Sequence, residues 1–362
     1  MEFDFLMLEI SAPADGPVSV SGMNPLESFV TALPKVELHV HLVGSAPAET
    51  VLALARRHPD GGVPVSAAGL AEFYSFRDFP HFIDVYQAVS RLLTEPEDIA
   101  DLVRGIGREL AGQNVRYVEL QVAPYAFQQA GMPDPVIAAA LDAGARDALS
   151  EHGVRIGYIV DFPGQTAGDA ARPALRFALD NPPAALIGFG IGGIEAARAP
   201  YTDVIRSVFA AAAAAGLRCV PHAGETTGPD TVWEAVNFLH AERIGHGIRS
   251  LDDTALVSYL AERQLPVDVS PTSNVCTRCV PSIDAHPLRR MRDAGLLVTL
   301  NSDDPPMFGT SLRNEYLVAG RDLGFSPAEL AGLAANGVRA SFLPAGEKEA
   351  LLAEIAAVPL PG

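Results

Sequence analysis

Cysteine is scarce: the 362 residues contain only Cys219, Cys276 and Cys279. An odd, low count excludes a disulfide framework. Cys276 and Cys279 form a C-x-x-C pair, but no second pair completes a structural metal site, so both read as ordinary thiols. Basic residues are also few, 26 against 44 acidic, for a formal net charge of −18. Such a surface repels nucleic acid and anionic membrane and points to a small-molecule partner. No apolar run approaches the roughly 18 residues that a membrane span needs. The opening stretch MEFDFLMLEI carries acidic groups where a secretory signal carries basic ones. A cytoplasmic protein is expected. No internal repeat or low-complexity block is present.

Hydrophobic residues, by contrast, make up 48% of the chain and charged ones only 19%, enough apolar surface for a large core. The length is long for an ordinary domain and normal for an α/β barrel. Residues 1–22 read as a loose Pro/Gly/Ser-rich arm, and 23–362 as one barrel domain. Short apolar runs at 36–41, 117–123, 156–162, 186–191, 218–222, 243–246, 266–270 and 297–302 predict eight strands. Several, such as LIGFGI and LLVTL, are apolar throughout, as strands covered on both faces are. Helical patterns lie between them, at 203–215, 231–239 and 255–263 among others. Eight βα units in series predict a TIM (β/α)8 barrel. The connection after the first strand, about 43–112, is far longer than the others and predicts a helical insertion, either a lid or packing. Helices are also expected at the C-terminal end. There Ser326 and Glu329 form a capping box, with Phe325 and Leu330 at the staple positions.

Chemistry-bearing residues collect at the strand ends. The first run ends His39-Val40-His41, and in an extended chain residues two apart point the same way. His222 ends the fifth run and His246 the sixth, while Asp303 and Asp304 follow the eighth. TIM-barrel enzymes place their chemistry at this face, and a catalytic zinc takes nitrogen and carboxylate ligands with one position left for water. The other histidines, His58, His81, His152, His240 and His286, show no such placement.

With these residues go four ordered motifs: PKVELHVHLVGS at 34–45, HAGE at 222–225, RIGHG at 243–247 and NSDDP at 301–305. Together they resemble the adenosine/adenine deaminase family over nearly the whole chain. The resemblance implies one zinc per chain, held by His39, His41, His222 and Asp303. It implies a 6-aminopurine nucleoside as substrate and hydrolytic release of ammonia. Glu225 would supply a proton to purine N1, and His246 would hold and deprotonate the attacking water, with Asp303 beside them among the catalytic groups. Asp304 would bond N7, and the backbone of Gly193, in GFGIGGIEA, would bond N3.

One position departs from the family pattern. Adenosine deaminases resemble this chain at H-x-H-L but continue with an aspartate that bonds the ribose 5′-hydroxyl; here Val43 stands there. Val43 suits an apolar or extended 5′ group. Arg278, in the loop SPTSNVCTRC, could pair with a carboxylate. Together they look like an enzyme for a 5′-extended nucleoside such as aminodeoxyfutalosine, of menaquinone synthesis. Adenosine, methylthioadenosine and S-adenosylhomocysteine are the alternative substrates. Another class is a purine-binding barrel without catalysis. A two-metal hydrolase of the same superfamily is disfavoured, because the fourth strand has no lysine to bridge two ions.

Overall fold

The structure, a computed structural model, describes residues 24–361; the expected N-terminal arm lies outside them. Eight parallel strands pair in chain order: β1 (Lys35–His41), β2 (Val115–Val122), β3 (Arg155–Val160), β4 (Leu186–Ile191), β5 (Arg218–Ala223), β6 (Ile244–His246), β7 (Val267–Val269) and β8 (Val298–Leu300). Past the end of β8 the chain turns back onto β1. The Asp303 amide donates to the His39 carbonyl at 2.9 Å, and the His41 amide donates to the Asp303 carbonyl at 3.2 Å. The Asn301 side chain supplies one more rung, accepting from the Leu38 amide at 3.0 Å. The sheet is thereby joined end to end, and the fold is a TIM barrel. The last three strands are only three residues each, shorter than their apolar runs. His246 is the last residue of β6, whereas Ser270 and the residues from Asn301 to Asp303 lie past the ends of β7 and β8.

The long connection after β1 holds helices Ala48–Arg57, Ala67–Phe73, Phe79–Ser90 and Pro96–Ala111. The last belongs to the barrel's own outer ring. It packs closely against the helix Asp134–His152, where a Cβ at Gly107 would lie 2.5 Å from that of Ala148. The extra material therefore ends before Pro96. Its helix Phe79–Ser90 starts at an Asp78 cap that accepts from the His81 amide, and its Arg91 cap closes the last turn. At the C-terminal end, helices Leu312–Arg321, Pro327–Ala340 and Ala345–Ala356 follow β8. The capping box forms, with the Glu329 amide donating to Ser326 and the Ser326 amide to Glu329. Phe325 and Leu330 are both buried.

Inside the barrel, alternate β1 residues Lys35, Glu37, His39 and His41 share one face. Glu37 accepts from the Ser302 hydroxyl at 2.7 Å. Deeper in, Arg243 is fully buried and stitches four segments together. Its Nε donates to Asp268 and its Nη2 to Glu119, each at 2.6 Å, and it also reaches the carbonyls of Leu38 and Ala340. Its guanidinium lies 4.7 Å from the centroid of the Phe342 ring. Burial pushes Asp268 up to about 6 against the pull of Arg243. Removing one partner from a buried ionic network leaves stranded charge. Arg243→Met is expected to lower unfolding stability by about 3–5 kcal/mol, read as a fall in the urea midpoint. A loss under about 1 kcal/mol would show that the network is not what holds this floor.

Candidate active site

The strand ends converge. His41 Nε2 lies 3.2 Å from Asp303 Oδ1 and 3.2 Å from His222 Nε2, and His39 Nε2 lies 3.6 Å from Asp303 Oδ1. Ligands at 2.0–2.1 Å around a tetrahedral zinc stand about 3.3–3.5 Å apart, which these separations match. Among the buried groups without a hydrogen-bond partner is His39 Nε2, which faces Asp303, a costly state that a cation between them relieves. Charge points the same way. Burial disfavours a charged His41 ring, yet Asp304, Asp303 and Asp161 overcome it and push the pKa up to about 10. The donor set and its spacing therefore fit one divalent ion. Backbone strain gathers here as well: Asp303 and His246 both have left-handed φ, 67° and 64°, a conformation that non-glycine residues adopt at a cost.

Glu225 sits on the tight loop after β5. It is buried, and burial together with the nearby Asp303 and Glu195 carboxylates holds it well above the usual carboxylate range, which favours its protonated form. His246 Nε2 is 3.7 Å from its Oε2, and Cys279 Sγ is 3.7 Å from its Oε1. Burial and the Glu225 carboxylate push the Cys279 thiol up, and burial pushes Cys276 up to about 11. Neither thiol is an activated nucleophile.

The Glu225 loop is held by a residue that the motifs did not reveal. Buried Glu195 accepts from the amides of Gly224, Glu225 and Thr226 at 2.8–2.9 Å and from the hydroxyls of Thr227 at 2.6 Å and Thr231 at 2.9 Å. The signal was present in GGIEA. A carboxylate between apolar neighbours needs buried donors, and HAGETTG offers consecutive amides and hydroxyls. Arg198 reinforces the join, donating to the carbonyls of His222 at 2.7 Å and Gly192 at 3.2 Å.

His246 is oriented by a chain of hydrogen bonds running through Asn274 and His286. The Leu288 amide donates to His286 Nδ1 at 3.2 Å; burial lowers the His286 pKa to about 3, so this ring is neutral and carries its proton on Nε2. That nitrogen donates to Asn274 Oδ1 at 3.1 Å, and Asn274 Nδ2 donates to His246 Nδ1 at 3.2 Å. Flipping the Asn274 amide would set two donors against each other at His286, so the backbone amide fixes the direction. Burial also lowers the His246 pKa. A neutral His246 thus presents Nε2–H to Glu225 and Asp303. In this tautomer the ring offers the site a donor, whereas the expected deprotonation of water calls for a free Nε2. The chain of hydrogen bonds also gives His286, which lies at no strand end, a place in the site.

A cavity of about 560 Å³ opens over these groups and reaches between the insertion and the barrel rim. Val43, Gly193 and Asp304 line it. Gly193 has φ of 73°, a conformation that favours glycine, and a Cβ there would displace the end of the Gln165 side chain. Burial and Asp303 raise Asp304 well above its ordinary range. Arg278 is not brought to the site. It is exposed, with φ of 66° at the turn after the helix Pro271–Cys276, and it is not part of the cavity wall. A position on the correct loop does not determine which way a side chain faces, and this one faces solvent. The arginine that lines the cavity is Arg91.

Known proteins carry the same architecture. An aminodeoxyfutalosine deaminase from Streptomyces avermitilis is 47% identical over 332 residues, which are 91% of this chain and 92% of that protein. The crystal structure of an adenine deaminase from Arthrobacter aurescens superimposes with a TM-score of 0.84 at 33% identity, covering 90% of this chain and 98% of that one. An amidohydrolase from Burkholderia ambifaria, solved with bound Zn, gives a TM-score of 0.84 at 30% identity over 94% and 95% of the two chains. The adenosine deaminase family model matches residues 34–358. The chain therefore belongs to the adenosine deaminase family and is a deaminase of adenine-like compounds, a hydrolase that cleaves C–N bonds.

Proposed function

We propose that this enzyme deaminates a 5′-modified adenine nucleoside, with aminodeoxyfutalosine as the favoured substrate and menaquinone synthesis as its setting. The carrying observation is the convergence of three imidazoles and Asp303 beside the buried Glu225 carboxyl group. His39, His41, His222 and Asp303 would hold one zinc. When bound, the ion supplies the Lewis acidity that makes water a nucleophile at neutral pH.

The protein groups then divide the work by proton inventory. Purine N1 and N7 are acceptors, so a side chain that bonds them must carry a hydrogen. Glu225, in its protonated form, gives its proton to N1 as water adds to C6, which relieves the charge that builds on the ring. Asp304, whose carboxyl group is raised well above its ordinary range, donates to N7 in its protonated form. The Gly193 amide donates to N3. His246 Nε2–H grips the attacking oxygen, and Asp303 Oδ2, 3.9 Å from that nitrogen, is placed to receive the proton that water loses. The C6–N bond then breaks as the proton taken up by Asp303 is passed to the amino group, which leaves as ammonia; the remaining hydroxyl proton returns to Glu225, and the ring retains oxygen at C6.

Two observations support a 5′ extension. The relative with 47% identity is named for aminodeoxyfutalosine, and the apolar Val43 side chain stands on the cavity wall, where it offers no hydrogen bond to a 5′-hydroxyl. A panel of 6-aminopurine nucleosides, followed by the absorbance change on deamination, tests this reading. Aminodeoxyfutalosine is expected to exceed adenosine, methylthioadenosine and S-adenosylhomocysteine in kcat/KM by at least about tenfold, a difference of about 1.4 kcal/mol in transition-state binding. Adenosine at the head of the panel would overturn it.

A further inference from the structure

The cavity has two chemically different ends. Its inner end holds the histidines, Asp161, Asp303, Asp304 and Glu225. Its remaining wall is largely apolar, and among the described residues that line it there is one Arg and no Lys: Arg91. The helix Phe79–Ser90, with its Arg91 cap, forms one side of this wall. Phe79, Phe82, Ile83, Tyr86, Gln87, Ser90 and Arg91 all line the cavity, and their spacing of three and four is that of a single helix face. Along that face the chemistry changes in order, from aromatic and aliphatic in the first turns to Tyr86, then Gln87, Ser90 and finally the guanidinium. Tyr86 marks the level of the metal-binding histidines, for its ring meets His41 edge-on with centroids 6.4 Å apart. Arg91 lies five residues further, about 7.5 Å along the axis. On the facing side, Tyr125 and Gln129 of the helix Pro124–Gln129 line the same cavity.

We infer that Arg91, with Gln87 and Ser90 beside it, is a second subsite that binds the carboxylate at the far end of the substrate. This rests on the reading of the substrate as a 5′-extended nucleoside. The physical case is one of charge placement. The inner end presents carboxyl groups and imidazoles but no Arg or Lys, so the guanidinium further along the wall is the fixed positive charge that the cavity lining offers an anionic group. A guanidinium presents a planar fork of donors that matches a carboxylate bidentately, and Gln87 and Ser90 add neutral donors one turn away. Arg91 is exposed, so it meets an incoming anion without first being taken out of water. Its position at the C-terminal end of a helix is also the favourable one for a cation. Elsewhere on the wall Val43 and Ile83 add apolar surface and no competing charge. The inference moves carboxylate recognition from Arg278, at the turn after β7, to the insertion after β1.

The test compares aminodeoxyfutalosine with its carboxamide analogue, adenosine and AMP, in wild type, Arg91→Met and Arg91→Lys. The readout is the ratio of kcat/KM for carboxylate over carboxamide, which is internal to each preparation, so a general loss of active protein cancels. A hydrogen-bonded charge pair contributes roughly 1.5–3 kcal/mol, so the wild-type ratio is expected to be about 10–100, to collapse toward one in Arg91→Met, and to be partly kept in Arg91→Lys. The loss should fall on KM rather than kcat, because the contact is remote from the reacting atoms. If the wild type prefers the carboxylate and Arg91→Met keeps that preference, the Arg91 subsite is wrong while the substrate reading stands. If the wild type turns over adenosine better than either extended compound, both fall. If AMP is instead the compound that depends most on Arg91, the group recognised is a phosphate and the carboxylate assignment is overturned.

Discussion

Glu225→Gln is expected to lower kcat by about 10²–10⁴, the usual contribution of a positioned general acid, while leaving zinc content and KM almost unchanged. The substitution isolates proton donation from shape. Glutamine fills the same volume, keeps a hydrogen to offer purine N1, and matches the neutral form that burial favours in the acid. What it lacks is a proton it can give up. Glu225 is held by its backbone, through the amide bond to Glu195 at 2.8 Å, so the exchange leaves the loop in place. Its side chain touches His246 and Cys279 and belongs to a group that excludes His39, His41 and His222; losing its acidity should not release the ion. Zinc measured on the purified variant separates the two roles. Loss of metal in parallel with rate would mean that Glu225 acts on the ion's environment, and unchanged kcat would remove it from the proton path.

Most of the fold was legible because its signals are local and repeated. Each barrel strand is an apolar run closed by polar or small residues, and eight of them in series admit few architectures. The strand ends were legible for the same reason: His39 and His41 obey the two-residue alternation of an extended chain, and Asp303 follows directly on β8. Other parts depend on partners remote in sequence. The roles of Glu195, Asn274 and His286 come from donors and acceptors that only the folded chain brings near. His286 shows no strand-end placement in the sequence, and the Leu288 amide, two residues on, directs its proton toward Asn274. Arg278 shows the reverse case, a residue on the expected loop whose side chain turns to solvent. Arg91 escaped notice because it closes a helix of the insertion, where an arginine is ordinary helix-end chemistry. Only the shared wall with His41 and Glu225 marks it out. The insertion's boundary was misplaced for a related reason: Pro96–Ala111 is a regular amphipathic helix, and nothing in its sequence says that it lies in the outer ring.

Dialysis against a strong chelator is expected to abolish turnover completely and also to lower the melting temperature, and restoring zinc should recover both. The proposed ligands come from β1, β5 and the segment after β8, so the ion ties together stretches more than 180 residues apart, as between His41 and His222. Binding to the folded chain alone adds about 2.7 kcal/mol at a free ion concentration 100 times Kd and about 4.1 at 1,000 times Kd. Without it, buried His39 Nε2 lacks a partner, and the surrounding aspartates have only imidazoles to balance them. His41→Ala should behave as the chelated enzyme does, losing zinc, rate and the zinc-dependent part of the melting temperature together. Arg243→Met should instead be less stable by a similar amount with or without zinc, because its network lies deeper in the barrel and shares no atom with the site. An Arg243→Met enzyme that kept its metal response, set against a His41→Ala enzyme that lost it, would separate the barrel's floor from its chemistry. A wild-type enzyme whose melting temperature ignored the chelator while activity vanished would place the ion outside the group formed by these three strands.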